Sequence, residues 1–356
     1  MRPNVEHDVF EAIAKIRDGA LRLAESGVAT NADIVKAMHL GCRMPRSLFD
    51  DYDDWVDLKP IAIDFQDAQL EEYNVLVLGN GTMAQGIAEM IARSGCRVHI
   101  AGRHAGRVAA AHEKVRQNCY RGVSDFTEKQ ERVSRISSGT FHALPITRWD
   151  LIIEACSENL EAKASAWHQV FTRLDAGSLI ATTTSSLRVA DVSRVFGAEQ
   201  QVIGLHFFNP APVNPLVEII AGDNPDLQRR ALGIARLFNK TAVMCADSPG
   251  FIVNRLLIPY LNACLASFCS IEDVREVDML MVQRFKFPIG PSRLVDLIGA
   301  DTVCTIQWNL HQAFPEDVPP PSELLSSLVE NNALGDKSNY GVMDYLKRES
   351  QVGIIS

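Results

Sequence analysis

The 356-residue chain reads as an α/β protein: a doubly wound parallel sheet, followed by an all-helical domain and preceded by a helical extension. Three changes of texture predict this. From Tyr73, apolar or β-branched runs at 75–78, 98–101, 151–153, 179–182 and 202–205 alternate with stretches mostly long enough for a helix. That is the signature of parallel strands joined by crossover helices. From about Asp247 the apolar residues recur at threes and fours, through 251–269, 272–284 and 299–314, and a Pro-rich break at 315–321 precedes a last helix at 322–330. The same helical period marks 8–48, in Phe10, Ile13, Ile16, Leu21 and Leu23 and again in Ile34, Ala37, Met38 and Leu40.

Between the first helices and the sheet lies an acidic run, Asp50, Asp51, Asp53 and Asp54, then Pro60 and a polar stretch to Glu72, which reads as a solvated connector. The expected domains are therefore a helical extension over 1–60, a sheet domain over 73–245 and a helical domain over 246–356. An internal echo crosses these boundaries. The segment 32–49 lies without gaps on 275–292, bringing Met38 onto Met281 and Pro45 onto Pro288, so the extension reads as a degenerate copy of the helical domain or as a coincidence of two helix-turn segments.

Composition narrows the function. With 47% hydrophobic and 22% charged residues, disorder, collagen and coiled coil are excluded. The 35 basic and 44 acidic side chains leave a charge of −9, which argues against nucleic acid or an anionic membrane as the main partner. Charges interrupt the N-terminus, and no apolar run approaches the ~18 residues that cross a bilayer. A cytoplasmic protein is expected. The eight cysteines form no Cys-x-x-Cys pair and have no His at zinc-finger spacing, so they read as reduced, mostly buried thiols, with no metal site.

The strongest local signal is VLVLGNGTMAQGIAEMIARSG at 75–95. A strand runs into Gly79, Gly81 and Ala84, a helix follows, and a second strand comes after Gly95. Gly79 permits the tight turn, Gly81 lets the backbone approach a pyrophosphate, and Ala84 with Gly86 lets the helix pack closely on the strand. The amides opening that helix then face a phosphate, which makes Gly79, Asn80, Gly81, Thr82, Met83 and Ala84 the candidate cofactor turn of a Rossmann domain. The tip of the second strand selects the nicotinamide cofactor: a carboxylate there grips the ribose of NAD, whereas a small residue followed by Arg admits the 2′-phosphate of NADP. Here the tip reads Gly102 and Arg103, with Arg107 one turn on, which predicts NADP(H), with NAD(H) as the alternative.

Further on stand ATTTSSLRV at 181–189, GLHFFNPAPVNPLVEII at 204–220 and DSPGFIVNRLLIPYLNACLA at 247–266. On these runs, and on their spacing from the glycine turn, the chain resembles the 3-hydroxyacyl-CoA dehydrogenase family over about 73–345. The resemblance implies oxidation of a 3-hydroxyacyl thioester to its 3-oxo form, or the reverse. It places the catalytic pair on His206 and on Glu218 twelve residues later, with Glu218 fixing the tautomer of an imidazole that moves the hydroxyl proton. It places Ser185 and Asn254 on the substrate oxygen. It also assigns Glu158, Lys163, Asn209 and Lys337 as cofactor contacts. By spacing alone, Glu158 and Lys163 read as an exposed helix pair.

This chain departs from the family pattern in four places. Gly102 replaces the usual Asp; the third turn glycine is Ala84; Asn-Thr-Ser-Ser becomes Thr183 to Ser186; and Gly-Phe-Tyr becomes Gly341, Val342, Met343. The CoA-gripping residues do not align, which leaves Arg107, Lys114, Arg116 and Arg121 as candidates and admits a carrier-protein thioester or a free hydroxy acid as substrate. In simpler relatives the helical domain forms the dimer interface, so a homodimer is expected. A non-catalytic cofactor-binding descendant is the competing reading.

Overall fold

A computed structural model of the chain describes residues 5–49, 73–145, 147–174, 177–197 and 202–352; the acidic run and the connector expected at 50–72 lie outside them. The chain divides into two compact units. One is the sheet unit up to Ser248, and the other joins the N-terminal helices to the segment from Pro249 onward.

Helix α1 (Val5–Glu25) buries Val9, Ile13, Ile16, Ala20 and Leu23, whose steps of four and three lay one apolar stripe along it. Helix α2 (Asn31–Cys42) is capped by Thr30, whose hydroxyl accepts from the Asp33 amide at 3.1 Å, and stops at Arg43, which is left-handed at φ 56°.

The sheet unit runs β1 (Asn74–Leu78), α3 (Thr82–Arg93), β2 (Arg97–Gly102), α4 (Ala105–Tyr120), α5 (Phe126–Ser134), β3 (Ile136–Thr140), β4 (Leu151–Glu154), α6 (Leu160–Val170), β5 (Leu179–Thr182), α7 (Val189–Phe196), β6 (Val202–Phe207), β7 (Leu216–Ile220), α8 (Pro225–Leu237) and β8 (Thr241–Met244). The eight strands lie in the order β3-β2-β1-β4-β5-β6-β7-β8. Strands β1 to β6 are parallel, so the crevice at their carboxyl ends, where the order reverses beside β1, is the place for a ligand. The strands β4 to β7 are buried at every described position, as expected for a sheet covered on both faces.

Three strands escape the sequence reading. β3 is Ile-Ser-Ser-Gly-Thr on the sheet edge and lacks an apolar run, and β8 is only half buried. β7 differs in direction: it pairs antiparallel with β6, because the eight residues 208–215 are too few for a crossover helix. The sheet is thus parallel from β3 to β6, antiparallel between β6 and β7, and parallel again between β7 and β8.

The remaining helices are α9 (Val253–Ser267), α10 (Ile271–Gln283), α11 (Pro291–Ile298), α12 (Ala300–Ala313), α13 (Glu323–Glu330) and α14 (Val342–Val352). Helix α9 is apolar nearly all round, burying Leu256, Leu257, Ile258, Tyr260, Leu261 and Leu265, because α1, α2, α11, α12 and α13 all pack on it. Gly19 of α1 marks a close approach: a Cβ there would stand 2.8 Å from Leu256 Cδ2. The echo has a geometric counterpart. Arg43 (φ 56°) is followed by Met44, whose amide donates to Met38 O at 3.2 Å; Lys286 (φ 61°) is followed by Phe287, whose amide donates to Met281 O at 3.1 Å. These are the positions that the alignment of Met38 with Met281 superposes.

Candidate active site

The glycine turn connects β1 to α3. Gly79 sits at φ 131°, where a Cβ would meet Ala155 O at 2.3 Å, and its amide donates to Ala101 O at 2.8 Å, so the turn is pinned between β2 and β4. Gly81 is the reverse case: a Cβ there would meet nothing within 4 Å, which leaves open room above the backbone. Gly81 is also the N-cap of α3 and supplies no side-chain acceptor, so the opening amides of Thr82, Met83 and Ala84 have no cap from that position. An open, uncapped helix start with a glycine beside it fits a pyrophosphate. Ala84 is fully buried, and a Cβ on Gly86 would stand in ordinary contact, 3.5–3.7 Å, with Ala211 and Pro212 of the 208–215 loop.

At the tip of β2, a Cβ on Gly102 would lie 2.7 Å from Val108 Cγ2 and 3.5 Å from the Asn80 amide. Any side chain at this position would press on Val108. Arg103 and Arg107 are exposed beside it.

His206 and Glu218 are direct cross-strand partners on β6 and β7, which explains the spacing of twelve: the antiparallel hairpin folds the two positions together. The imidazole Nδ1 lies 2.5 Å from Glu218 Oε2, with His206 4% exposed and Glu218 fully buried. That contact commits Nδ1 to the carboxylate, so a proton exchanged with a ligand passes through Nε2. Phe208 packs edge-on against the ring, its centroid 4.5 Å away. The loop that closes the hairpin, with the exposed Asn209 in it, is tied down by Lys240, whose Nζ donates to Ala211 O at 2.5 Å and Asn214 O at 2.6 Å; burial pulls this ammonium down to about 8.

A second buried cluster lies at the ends of β4 and β5. Glu154, the last residue of β4, accepts Lys163 Nζ on both oxygens (3.0 and 2.9 Å), the Cys156 amide (2.7 Å) and the Thr182 hydroxyl (2.7 Å). Lys163, 1% exposed, also lies 3.5 Å from Glu158 Oε2. Glu158 Oε1 accepts from the Thr184 hydroxyl and the Ser185 and Ser186 amides, each at 2.7 Å, and so grips the loop that carries Ser185. Burial alone would raise the Glu158 carboxyl, but Lys163 and these hydrogen bonds outweigh it and hold it below the ordinary range. Burial likewise opposes the Lys163 charge, yet Glu154 and Glu158 drive its value upward. The exposed helix pair expected of Glu158 and Lys163 is thereby corrected: Glu158 precedes α6, and Lys163 is buried in an ion network. Glu154, Thr182 and Thr184 were missed. The signal for Glu154 was there, as an acid closing an apolar run that packs on both faces.

Asn254 and Lys337 belong to the other unit. Asn254 is the second residue of α9 and 8% exposed. Lys337 donates to Asp301 Oδ1 and Thr302 Oγ1, both at 2.7 Å. Arg107 and Lys114 are exposed on α4, Arg121 is exposed just beyond it, and Arg116 stands 3.7 Å from Glu113. Among the described residues no cluster of His, Cys, Asp or Glu could hold a metal ion, and no helix is long and apolar enough to cross a membrane.

A parallel sheet with a pinned, open glycine turn at its switch point defines a dinucleotide-binding protein. The comparisons carry this further. Residues 74–248 match the family model described as 3-hydroxyacyl-CoA dehydrogenase, NAD binding domain, and residues 250–345 match its C-terminal domain. A probable 3-hydroxyacyl-CoA dehydrogenase of Caenorhabditis elegans is 33% identical over 295 residues, covering 78% of this chain and 94% of the relative. The 3-hydroxybutyryl-CoA dehydrogenase of Mycobacterium tuberculosis is 34% identical over 284 residues, covering 76% and 97%. The crystal structure of the (S)-3-hydroxybutyryl-CoA dehydrogenase of Ralstonia eutropha superposes with a TM-score of 0.67 at 30% identity, covering 76% of this chain and 97% of that one. The chain belongs to the 3-hydroxyacyl-CoA dehydrogenase family and is a nicotinamide-dependent oxidoreductase by descent.

Proposed function

We propose that the protein interconverts a 3-hydroxyacyl-CoA and its 3-oxo form, and the observation that carries this is the His206–Glu218 pair held across β6 and β7 at 2.5 Å. A nicotinamide cofactor, when bound, supplies the hydride acceptor or donor. The amides of Thr82, Met83 and Ala84 hold its pyrophosphate at the open face above Gly81. His206 takes the hydroxyl proton through Nε2 in oxidation and returns it in reduction; Glu218 keeps the ring in that tautomer and stabilises the imidazolium. The family motifs assign Ser185, on the loop that Glu158 grips, and Asn254 to the substrate oxygen, and Asn209 and Lys337 to the cofactor.

The preferred cofactor in this reading is NADP(H). Supporting this, Gly102 leaves the strand tip without a carboxylate, a Cβ there would press on Val108, and Arg103 and Arg107 are exposed next to it in sequence. Reduction is then the favoured direction, since cells keep that pool reduced. The substrate reading places the enzyme in fatty-acid metabolism. The proposal includes a cytosolic homodimer, supported by eight cysteines that form no Cys-x-x-Cys pair in the sequence and by Met279, Leu297 and Trp308 exposed on the helical unit.

The test is the initial rate of NADPH and, separately, NADH oxidation with acetoacetyl-CoA. Turnover with a preference for NADPH is the expected result. A preference for NADH would overturn the cofactor assignment and leave the chemistry standing. No turnover, in protein that binds a nicotinamide cofactor, would count against a CoA substrate.

A further inference from the structure

The N-terminal helices meet α9 in the pattern that a twofold axis produces. Met38 and Met281 stand 243 residues apart, and the turns behind them match, at Arg43 with Met44 and at Lys286 with Phe287. The two helices also open alike: Thr30 caps α2 by accepting from the Asp33 amide, and Ser270 caps α10 by accepting from the Asp273 amide. With α2 laid on α10 through the shared turn, the same spacing carries α1 onto 248–268, the segment that holds α9. The pair α1–α2 then corresponds to α9–α10, element for element.

A contact between two copies across a twofold has two signatures: equivalent helices lie antiparallel, and each unlike contact occurs twice with the roles exchanged. Helix α1 runs antiparallel to α9, since Lys15 is within electrostatic reach of Cys264, Gly19 lies against Leu256, and Arg22 is within reach of Arg255 near the start of α9. Both unlike contacts are present. Helix α1 packs on α10, with Phe10 edge-on to Phe285 at 5.4 Å and the Arg284 guanidinium 4.9 Å from the Phe10 ring. Helix α2 packs on α9 in return, with Cys42, which aligns with Phe285, within reach of the buried Tyr260.

We propose that α1 and α2 are a built-in second copy of α9–α10, seated on the face of α9 that the same helices of another molecule would otherwise take. Gly19 favours the internal copy, because Asn262 stands at the aligned position of α9 and is too large for the same close approach. Being on the same chain favours it again: a second molecule competes against an effective concentration on the order of millimolar for a short tether. A homodimer of this chain therefore closes on a surface other than this face of α9.

The test frees α1 in the full-length chain. Ile16 is 1% exposed, so Ile16→Asp sets a carboxylate in the core and should release α1, read as lost hydrogen-exchange protection along that helix. Sedimentation velocity should then show an association step that wild type lacks, raising the mass about twofold with concentration. Adding Leu256→Asp should abolish it. Release of α1 without that step, or a step that survives Leu256→Asp, would overturn the proposal. Should Ile16→Asp not fold, or keep α1 in place, the wild type decides: exchange in α1 is expected to be the same at low and high protein concentration, and protection that falls as concentration rises would show a second chain displacing α1. The wild-type mass is read in the same runs. A monomer would end the homodimer reading and leave the closed α9 face standing, whereas a dimer that forms by exposing α1 would do the reverse.

Discussion

At the scale of single residues, the function proposed here depends on a few atoms whose positions leave little latitude. Glu218 is fully buried and its Oε2 faces His206 Nδ1. Glu218→Gln keeps the shape but removes the charge that stabilises the imidazolium, so kcat should fall by about 10³-fold with cofactor Kd unchanged, and His206→Gln should lose turnover while retaining cofactor binding. Steady-state rates and a fluorescence titration check both. Gly102 gives a different kind of prediction. Gly102→Asp alone drives its Cβ to 2.7 Å from Val108 Cγ2 and should bind either cofactor poorly; combined with Val108→Ala it gains the missing room. The double variant should shift the NADPH-to-NADH ratio of kcat/KM at least about tenfold toward NADH. An unchanged ratio would show that the strand tip does not select the cofactor.

Among the elements, the β2–β3 pair carries a titration. His99 and Ser137 are register partners, the ring Nδ1 lies 2.9 Å from Ser137 Oγ, and His99 is 4% exposed beside Trp149. Burial, aided by the nearby His112, holds this imidazole down to about 4 from its ordinary 6.5. A base depressed in the fold binds fewer protons there than in the unfolded chain between those two values. Stability therefore falls as pH drops from 6.5 through 4, by up to about 3 kcal/mol. Melting temperatures across that range should show the slope, and His99→Asn should flatten it. A second element-scale feature is the antiparallel β7. Twelve residues separate His206 from Glu218 because a hairpin needs a short return, and a crossover helix in its place would have carried the glutamate to another part of the sheet.

For the whole molecule, the N-terminal helices are part of a core and not an appendage. Ile16 and Leu23 are buried on α1, Gly19 lies against Leu256 of α9, and the turns that follow α2 and α10 share a left-handed residue and its closing hydrogen bond at Arg43 and Lys286. Deleting residues 1–49 should expose the apolar flank of α9, and light scattering should then report aggregation or a changed oligomeric state relative to the full chain. An unchanged state in a folded product would show that α1 and α2 do not cover an association surface.

Much of this was legible along the chain, and the physical reason is locality. Five strands announced themselves because buried parallel strands are continuous apolar runs, the glycine turn because its three small residues answer to backbone geometry within six positions, and the membership in a dehydrogenase family because His206 to Pro210 and Pro249 to Arg255 are contiguous. What only the tertiary structure decided depends on pairs far apart in sequence. β3 is a strand because β2 lies beside it, although its own residues are polar. The α7 amides of Val189 and Ala190 are capped by Asp247, 58 and 57 residues away. Lys163 looked like an exposed helical lysine until β4 and β5 brought Glu154 and Thr182 around it. Hydrophobic period and turn chemistry are written in neighbouring residues, whereas the partners of a buried charge are chosen by the packing of strands that meet only in the fold.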